Sequence, residues 1–284
     1  MNTEVQNDLR WLATSPSLVA QGAFDCPTLD SLAQVVPSAE ELAGALQAKH
    51  ADHLRLGIYF EDLVELQLRH TPGVSDVRRG TVIREDRRTL GELDFLFTNG
   101  AGLTEHWEVA VKFYLFHRDQ NANPDLCFLG PRTVDRLDRK VKRMRDHQLK
   151  LPSTPAAKEA LGTEQPIQSK ALVRGRLFYP LHMEWSACRV DQISSPDHLR
   201  GWWAPRKDLS RIPEAQHYLV IRKRDWLTCP NPSPTWTLHT LDSLALHLDQ
   251  GPLHPVQILG LDENQRELHR GFVVPDAWPH SSDH

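Results

Sequence analysis

Two acidic residues and a lysine sit on neighbouring segments of this chain in an order that could hold a cation. The segments are Gly91-Glu92-Leu93-Asp94-Phe95-Leu96-Phe97 and His106-Trp107-Glu108-Val109-Ala110-Val111-Lys112-Phe113-Tyr114, with a Gly-rich turn between them. Alternate residues of a strand share a face. Glu92, Asp94 and Leu96 therefore point one way, and Leu93, Phe95 and Phe97 the other. On the second strand Glu108, Ala110, Lys112 and Tyr114 share a face, opposite Trp107, Val109, Val111 and Phe113. A hairpin folded symmetrically about Ala101 sets Phe97 opposite Glu105 and Asp94 opposite Glu108. Opposed side chains lie roughly 5 Å apart at Cβ. Like charges repel at that distance unless a cation lies between them. Hard oxygen donors suit Mg²⁺, or Mn²⁺.

Phosphodiester hydrolysis needs these residue types. Carboxylates on adjacent strands can hold a metal that activates water and stabilises a leaving oxygen. A lysine beside them can orient the water or neutralise the phosphorane. Asp94, Glu108 and Lys112 supply the set, Glu61 on a preceding helix would add a ligand, and Glu92 is a spare. The alternative is a wet hairpin face carrying Glu and Lys as ordinary cross-strand pairs. Against it, the apolar face is core material, and flanking amphipathic helices need both sheet faces for burial. An acidic pair on a covered face requires compensation.

In order and residue type, the chain resembles the PD-(D/E)XK nuclease superfamily: Glu61 on a helix, Asp94 after Gly91, then Glu108 and Lys112. As a whole it looks like an uncharacterised bacterial branch of that superfamily, a domain-of-unknown-function family. The resemblance covers about residues 50–180. It implies a restriction-endonuclease-like core, with Asp94, Glu108, Lys112 and Glu61 catalytic, and Asp94, Glu108 and Glu61 binding Mg²⁺ or Mn²⁺. One position departs from the pattern. The family's lysine stands two residues after the acid, where this chain has Ala110, and Lys112 lies one pleat further along the same face.

The elements around the hairpin follow from periodicity and caps. A short helix is expected over 5–13. Ser38 and Glu41 form a capping box for a second helix. A third runs from about Asp52 to His70 and stops before Thr71-Pro72-Gly73. Strands are expected over 74–84, 89–97 and 105–116, with Asn99-Gly100-Ala101-Gly102 as the hairpin connection and Asn121 to Asp125 as a loop. A helix from Thr133 to Gln148 buries Val134, Leu137, Val141, Met144 and Gln148. Its adjoining stripe carries Arg136, Arg139, Lys140, Arg143 and His147. From Arg132 to Lys150 eight Lys or Arg stand against three Asp, a local charge of +5. That stripe is either a solvated face with Asp135–Arg139 and Asp138–Lys142 pairs, or a phosphate-contacting face through Arg136, Arg139, Lys140 and Arg143. Further strands are expected over 171–179, 218–221, 256–260 and 272–274, with a helix over 241–248. Trp202-Trp203 is read as core, and the tail from Pro279 as disordered.

The expected class is α/β: a mixed central sheet with the hairpin at its middle, flanked by helices, and a C-terminal α+β extension. The division is 1–50 helical, 51–180 core and 181–284 extension. A length of 284 residues allows a full core. A net charge of −4 gives no global pull toward nucleic acid, so affinity must be local. Four scattered cysteines without a Cys-x-x-Cys pair argue against zinc and disulfides and fit a reducing cytoplasm. The fifteen histidines are dispersed, and His106 and His117 are read as structural. The N-terminus lacks a signal-peptide pattern, and no apolar run is long enough for a membrane span. Two functions remain: a metal-dependent nuclease acting on DNA or RNA, or a degraded nuclease fold that binds nucleic acid or protein.

Overall fold

The computed structural model describes residues 3–27, 35–51, 55–117, 128–183, 194–251 and 254–279. The chain forms two compact units. The first comprises Met1–Lys112, Arg139–Gly175 and Gln192–His198, and the second Phe113–Asp138, Arg176–Asp191 and Leu199–His284. Three helices open the first unit: α1 (Thr3–Thr14), α2 (Ala39–His50) and α3 (Leu56–His70). The capping box is present at α2. Ser38 Oγ accepts from Glu41 N at 3.2 Å, and Ser38 N donates to Glu41 Oε2 at 2.7 Å. The third helix begins at Leu56 and not at Asp52, and residues 52–54 lie outside the described set.

Helix packing in this unit turns on one buried ion pair. Val5, Leu9 and Leu12 of α1 and Phe60, Leu63 and Val64 of α3 are buried apolar faces. Among them Lys49 Nζ donates to Asp8 Oδ2 at 2.9 Å, and Tyr59 O–H donates to the same oxygen at 2.8 Å. The contact joins all three helices. A buried charge is tolerable when it is paired and hydrogen-bonded.

Strands β1 (Ser75–Glu85), β2 (Arg88–Thr98) and β3 (Thr104–Phe116) follow. The turn from β1 to β2 places Asp86 at φ 52°, a left-handed conformation that Asp accepts more readily than most residues. The connection from β2 to β3 is built by Asn99, whose Oδ1 accepts from Ala101 N and Leu103 N at 3.0 Å each. This Asx arrangement leaves Thr98 opposite Thr104, Phe97 opposite Glu105 and Phe95 opposite Trp107, the register expected from symmetry about Ala101. Strand β4 (Phe128–Leu129) pairs with the far end of β3, and β5 (Gln168–Pro180) lies on its other side. His106 meets Ser169 and Lys112 meets Gly175, the same sequence offset of 63, as two strands running in the same direction require. Gly175 sits at φ +148°, and a Cβ there would collide with the Lys112 carbonyl. Only glycine lets the two backbones approach this closely.

The crossover carries α4 (Leu137–Asp146), a 3-10 turn (Gln148–Ser153) and α5 (Pro155–Leu161). Helix α4 starts four residues later than periodicity suggests. Thr133 has φ 64°, Gly130 N donates to Asp135 O at 2.7 Å, and Leu129 bridges to Arg136. Those contacts hold 129–136 as a tight turn. Val134 therefore falls outside the buried stripe and is 86% exposed, whereas Leu137, Val141 and Met144 are buried. The expected Asp135–Arg139 and Asp138–Lys142 pairs give way to others. Arg136 pairs with Asp138, and Lys142 and Arg145 both pair with Asp146. Asp135 precedes the helix, so helical spacing does not apply to it.

In the second unit β6 (Leu199–Pro205) runs parallel to β5 and to β10 (Glu267–Val274). Strand β9 (Val256–Leu261) is antiparallel to β10 and to β7 (His217–Ile221), and β7 pairs with β8 (Leu238–His239). Helix α6 (Leu241–Asp249), capped by Thr240, buries Leu244 and Leu248 with Trp202, Ile258 and Val273. Trp202 is core, as expected. The ten strands form one mixed sheet flanked by helices, in the order β1-β2-β3-β5-β6-β10-β9-β7-β8, with β4 on β3. In that order the hairpin β2–β3 lies next to β1, near one end, not at the middle. Among the described residues no helix is long and apolar enough to cross a membrane. The expected loop at 121–125 and nearly all of the tail from Pro279 lie outside the described residues.

Removing one member of the buried pair should be costly. Asp8→Ala is expected to lower the unfolding free energy by about 3–5 kcal/mol in urea titration, and the apolar double replacement Asp8→Leu with Lys49→Met by clearly less.

Candidate functional site

The hairpin ladder ends at the Phe95–Trp107 pair, and Asp94 and Glu108 are the next residue on each strand. Asp94 is half-buried and Glu108 fully buried. Asp94 Oδ2 accepts from Val109 N at 2.9 Å. Burial, then the negative charge of Glu108, pushes the Asp94 carboxyl up to about 7, with Glu61 adding to the rise. The Val109 N–H and the Lys140 ammonium oppose it. A carboxyl raised this way reports a concentration of negative charge on a covered face.

Glu108 has a polar partner at each oxygen. His106 Nε2 stands 3.1 Å from its Oε1, and Gln148 Nε2 donates to its Oε2. Gln148 Oε1 in turn accepts from Lys140 Nζ at 3.2 Å. Lys140 lies close enough to feel both acids. Burial lowers its pKa first, the neighbouring Lys112 lowers it further, and Glu108 and Asp94 raise it. One lysine charge, that of Lys140 on α4, is felt by both acids, and Lys112 of β3 lies near Lys140.

Glu61 contributes charge to the site while bonded elsewhere. Arg79 of β1 donates to Glu61 Oε2 at 2.9 Å, to Asp62 Oδ1 at 2.5 Å and to Glu65 Oε2 at 3.3 Å. The arginine fastens the acidic side of α3 to β1. Glu92 is exposed, and its carboxyl lies over Gly80 of β1. Among the described residues no three His, Cys, Asp or Glu side chains form a group that could hold a metal ion.

The four basic residues of the stripe take different positions. Arg139 and Arg143 are exposed on α4, and Lys140 turns inward to Gln148. Arg136 precedes the helix, pairs with Asp138 at 2.9 Å, and belongs to the second unit. Sequence reasoning placed Lys140 among the phosphate contacts and missed its approach to the carboxylates. A signal was available, since Lys140 stands three residues after the buried Leu137 and four before the buried Met144, at the border of the apolar stripe. His106 was also missed as a partner of Glu108. Residues two apart on a strand share a face, so that contact was open to the same alternation argument. Gln148 could not have been found this way, because the chain leaves α4 at Asp146 and enters a 3-10 turn before reaching it.

A family model described as a domain of unknown function (DUF1853) matches residues 7–274. No curated protein and no solved structure matches the chain.

The shift at Asp94 gives a signed expectation. A carboxyl whose folded value exceeds its unfolded value stabilises the fold fully below the unfolded value, about 3.9. That contribution is lost as pH rises through the folded value, here about 7. Unfolding free energy should therefore decline between about pH 4 and 7, and Asp94→Asn should flatten the decline. Chemical denaturation at a series of pH values measures it, and an unchanged slope in the variant would contradict the assignment.

Proposed function

The chain belongs to the DUF1853 family, and we propose that it hydrolyses phosphodiester bonds of DNA or RNA with a divalent cation. The observation that carries the reading is the raised Asp94 carboxyl near buried Glu108, with Lys140 bonded to Gln148 and its charge felt by both acids. On this reading α3, the β2–β3 hairpin and α4 belong to a restriction-endonuclease-like core of the PD-(D/E)XK type, in a cytoplasmic protein.

The donor set fits Mg²⁺ or Mn²⁺. Magnesium commonly takes one or two protein carboxylates and fills its remaining positions with water and substrate phosphate, so Asp94 and Glu108 suffice without a third protein ligand. Glu61 would be drawn in only by giving up Arg79. When bound, the cation would supply an activated water and neutralise phosphate charge. Asp94, carrying a proton near neutral pH, would release it as the cation arrives. Lys140 would present its ammonium to the phosphate in place of the family's lysine at position 110, where this chain has buried Ala110. Lys112 would add a second cation on the same side. Arg139 and Arg143 would hold flanking phosphates without reading sequence.

A second reading, a binding module with a degraded site, is favoured by one specific observation. Both oxygens of Glu108 are already engaged, by His106 and Gln148.

Cleavage assays on plasmid, linear DNA and RNA with Mg²⁺ or Mn²⁺ separate the two. Cation-dependent cleavage is expected, reduced by about 10²-fold or more in Asp94→Asn and in Lys140→Met. Arg139→Ala with Arg143→Ala should weaken binding to any sequence and reduce the salt slope on duplex DNA by roughly 2, with thermal stability little changed. Binding without cleavage under every cation would leave the module reading standing.

A further inference from the structure

The hydrogen bonds around Glu108 form one connected chain. Gln148 Oε1 accepts from Lys140 Nζ, so its amide nitrogen faces Glu108 and donates. An amide offers donors only on nitrogen and acceptors only on oxygen. At the other oxygen, 3.1 Å away, stands His106 Nε2. A carboxylate oxygen accepts, which suits a ring N–H at that position. In neutral imidazole the other nitrogen then accepts. The group facing it is the Ser169 hydroxyl of β5, at 3.2 Å from Nδ1, which can donate. His106 and Glu108 side chains have no exposure at all.

We infer that His106 is a positioning residue for Glu108, locked in its Nε2–H tautomer by Ser169. This rests on the reading of Glu108 as a cation-holding carboxylate, and it adds what keeps that carboxylate aimed. A buried carboxylate with one partner on each oxygen has a single orientation. Losing the His106 N–H leaves one oxygen bare in a dry interior and free to turn away from Asp94. Ser169 reaches His106 from the neighbouring strand, so the strand pairing of β3 with β5 and the orientation of Glu108 are one arrangement. Groups that hydrogen-bond a ligand residue from behind typically alter metal affinity by about 10–100-fold when removed.

The test uses the full chain and Mn²⁺ alone as the probe. Nitrogen-15 NMR of the His106 ring, recorded without added metal, is expected to show the Nε2–H tautomer in the wild type. Ser169→Ala should lose that preference and Ser169→Thr should keep it. Calorimetric titration should show Mn²⁺ affinity reduced about 10–100-fold in His106→Leu. His106→Gln, which retains an N–H toward Glu108, should recover most of it. A residue that merely filled the core would lower the melting temperature in His106→Leu and leave Mn²⁺ affinity alone. If His106→Leu fails to fold, Ser169→Ala carries the titration. An Nδ1–H tautomer in the wild type overturns the inference. So does equal affinity in the wild type, His106→Leu and Ser169→Ala. If the wild type binds no Mn²⁺, the metal reading of the site falls, and the tautomer measurement alone decides whether His106 is held as inferred.

Discussion

Asp94 and Glu108 come together at the end of the β2–β3 ladder, which runs from Thr98–Thr104 to Phe95–Trp107, and the Asp94 carboxyl accepts a hydrogen bond from Val109 N of the facing strand. The register of the β2–β3 hairpin is therefore the constraint on which the site depends. Asn99 sets it. Its side-chain oxygen accepts two backbone N–H groups of the loop, and its amide donates to Glu105 Oε1 at 2.7 Å, on the residue opposite Phe97. A slip of one residue would send every side chain of a strand to the other face. Glu108 would then exchange places with the Trp107 and Val109 face, and the acidic pair would vanish.

Covered acidic groups in the first unit are accommodated in three physically distinct ways. Asp8 is paired with buried Lys49 and bonded by Tyr59, which serves packing of the three N-terminal helices. Glu61 is shared with Asp62 and Glu65 by a single arginine, Arg79, at the edge of solvent. Glu108 and Asp94 are treated differently. Glu108 is met by His106 and Gln148, and Asp94 has one backbone N–H and a pKa pushed up to about 7. A structural ion pair brings its own counter-charge. Among the described residues no Lys or Arg bonds either carboxyl directly as Lys49 bonds Asp8, and that difference separates a candidate site from the packing of the rest of the unit.

Helix α4 joins the two themes of the chain, apolar periodicity and local positive charge. Its buried face of Leu137, Val141 and Met144 fixes its rotation. That rotation sorts its cations, sending Arg139 and Arg143 outward and Lys140 inward to Gln148. Composition alone counts them as one basic stripe. A rotation of one residue's pitch would put a different cation beside the acids, so packing, not charge, selects Lys140.

Alternation and turn chemistry were enough to read the hairpin, its register from Phe97 opposite Glu105, the capping box at Ser38 and the buried Leu137, Val141 and Met144 of α4. Each of these is a local property, fixed by residues within a few positions of one another. What tertiary structure decided involves residues far apart in the chain. The late start of α4 follows from a turn at 129–136 that exposes Val134. Lys140 and Gln148 reach Glu108 because the crossover returns across the sheet, and Ser169 reaches His106 because Gly175 lets β5 lie close against β3. Residue types and strand faces are written in local spacing. Which distant polar atom completes a buried carboxylate depends on how the elements pack, and periodicity within one element carries no information about that.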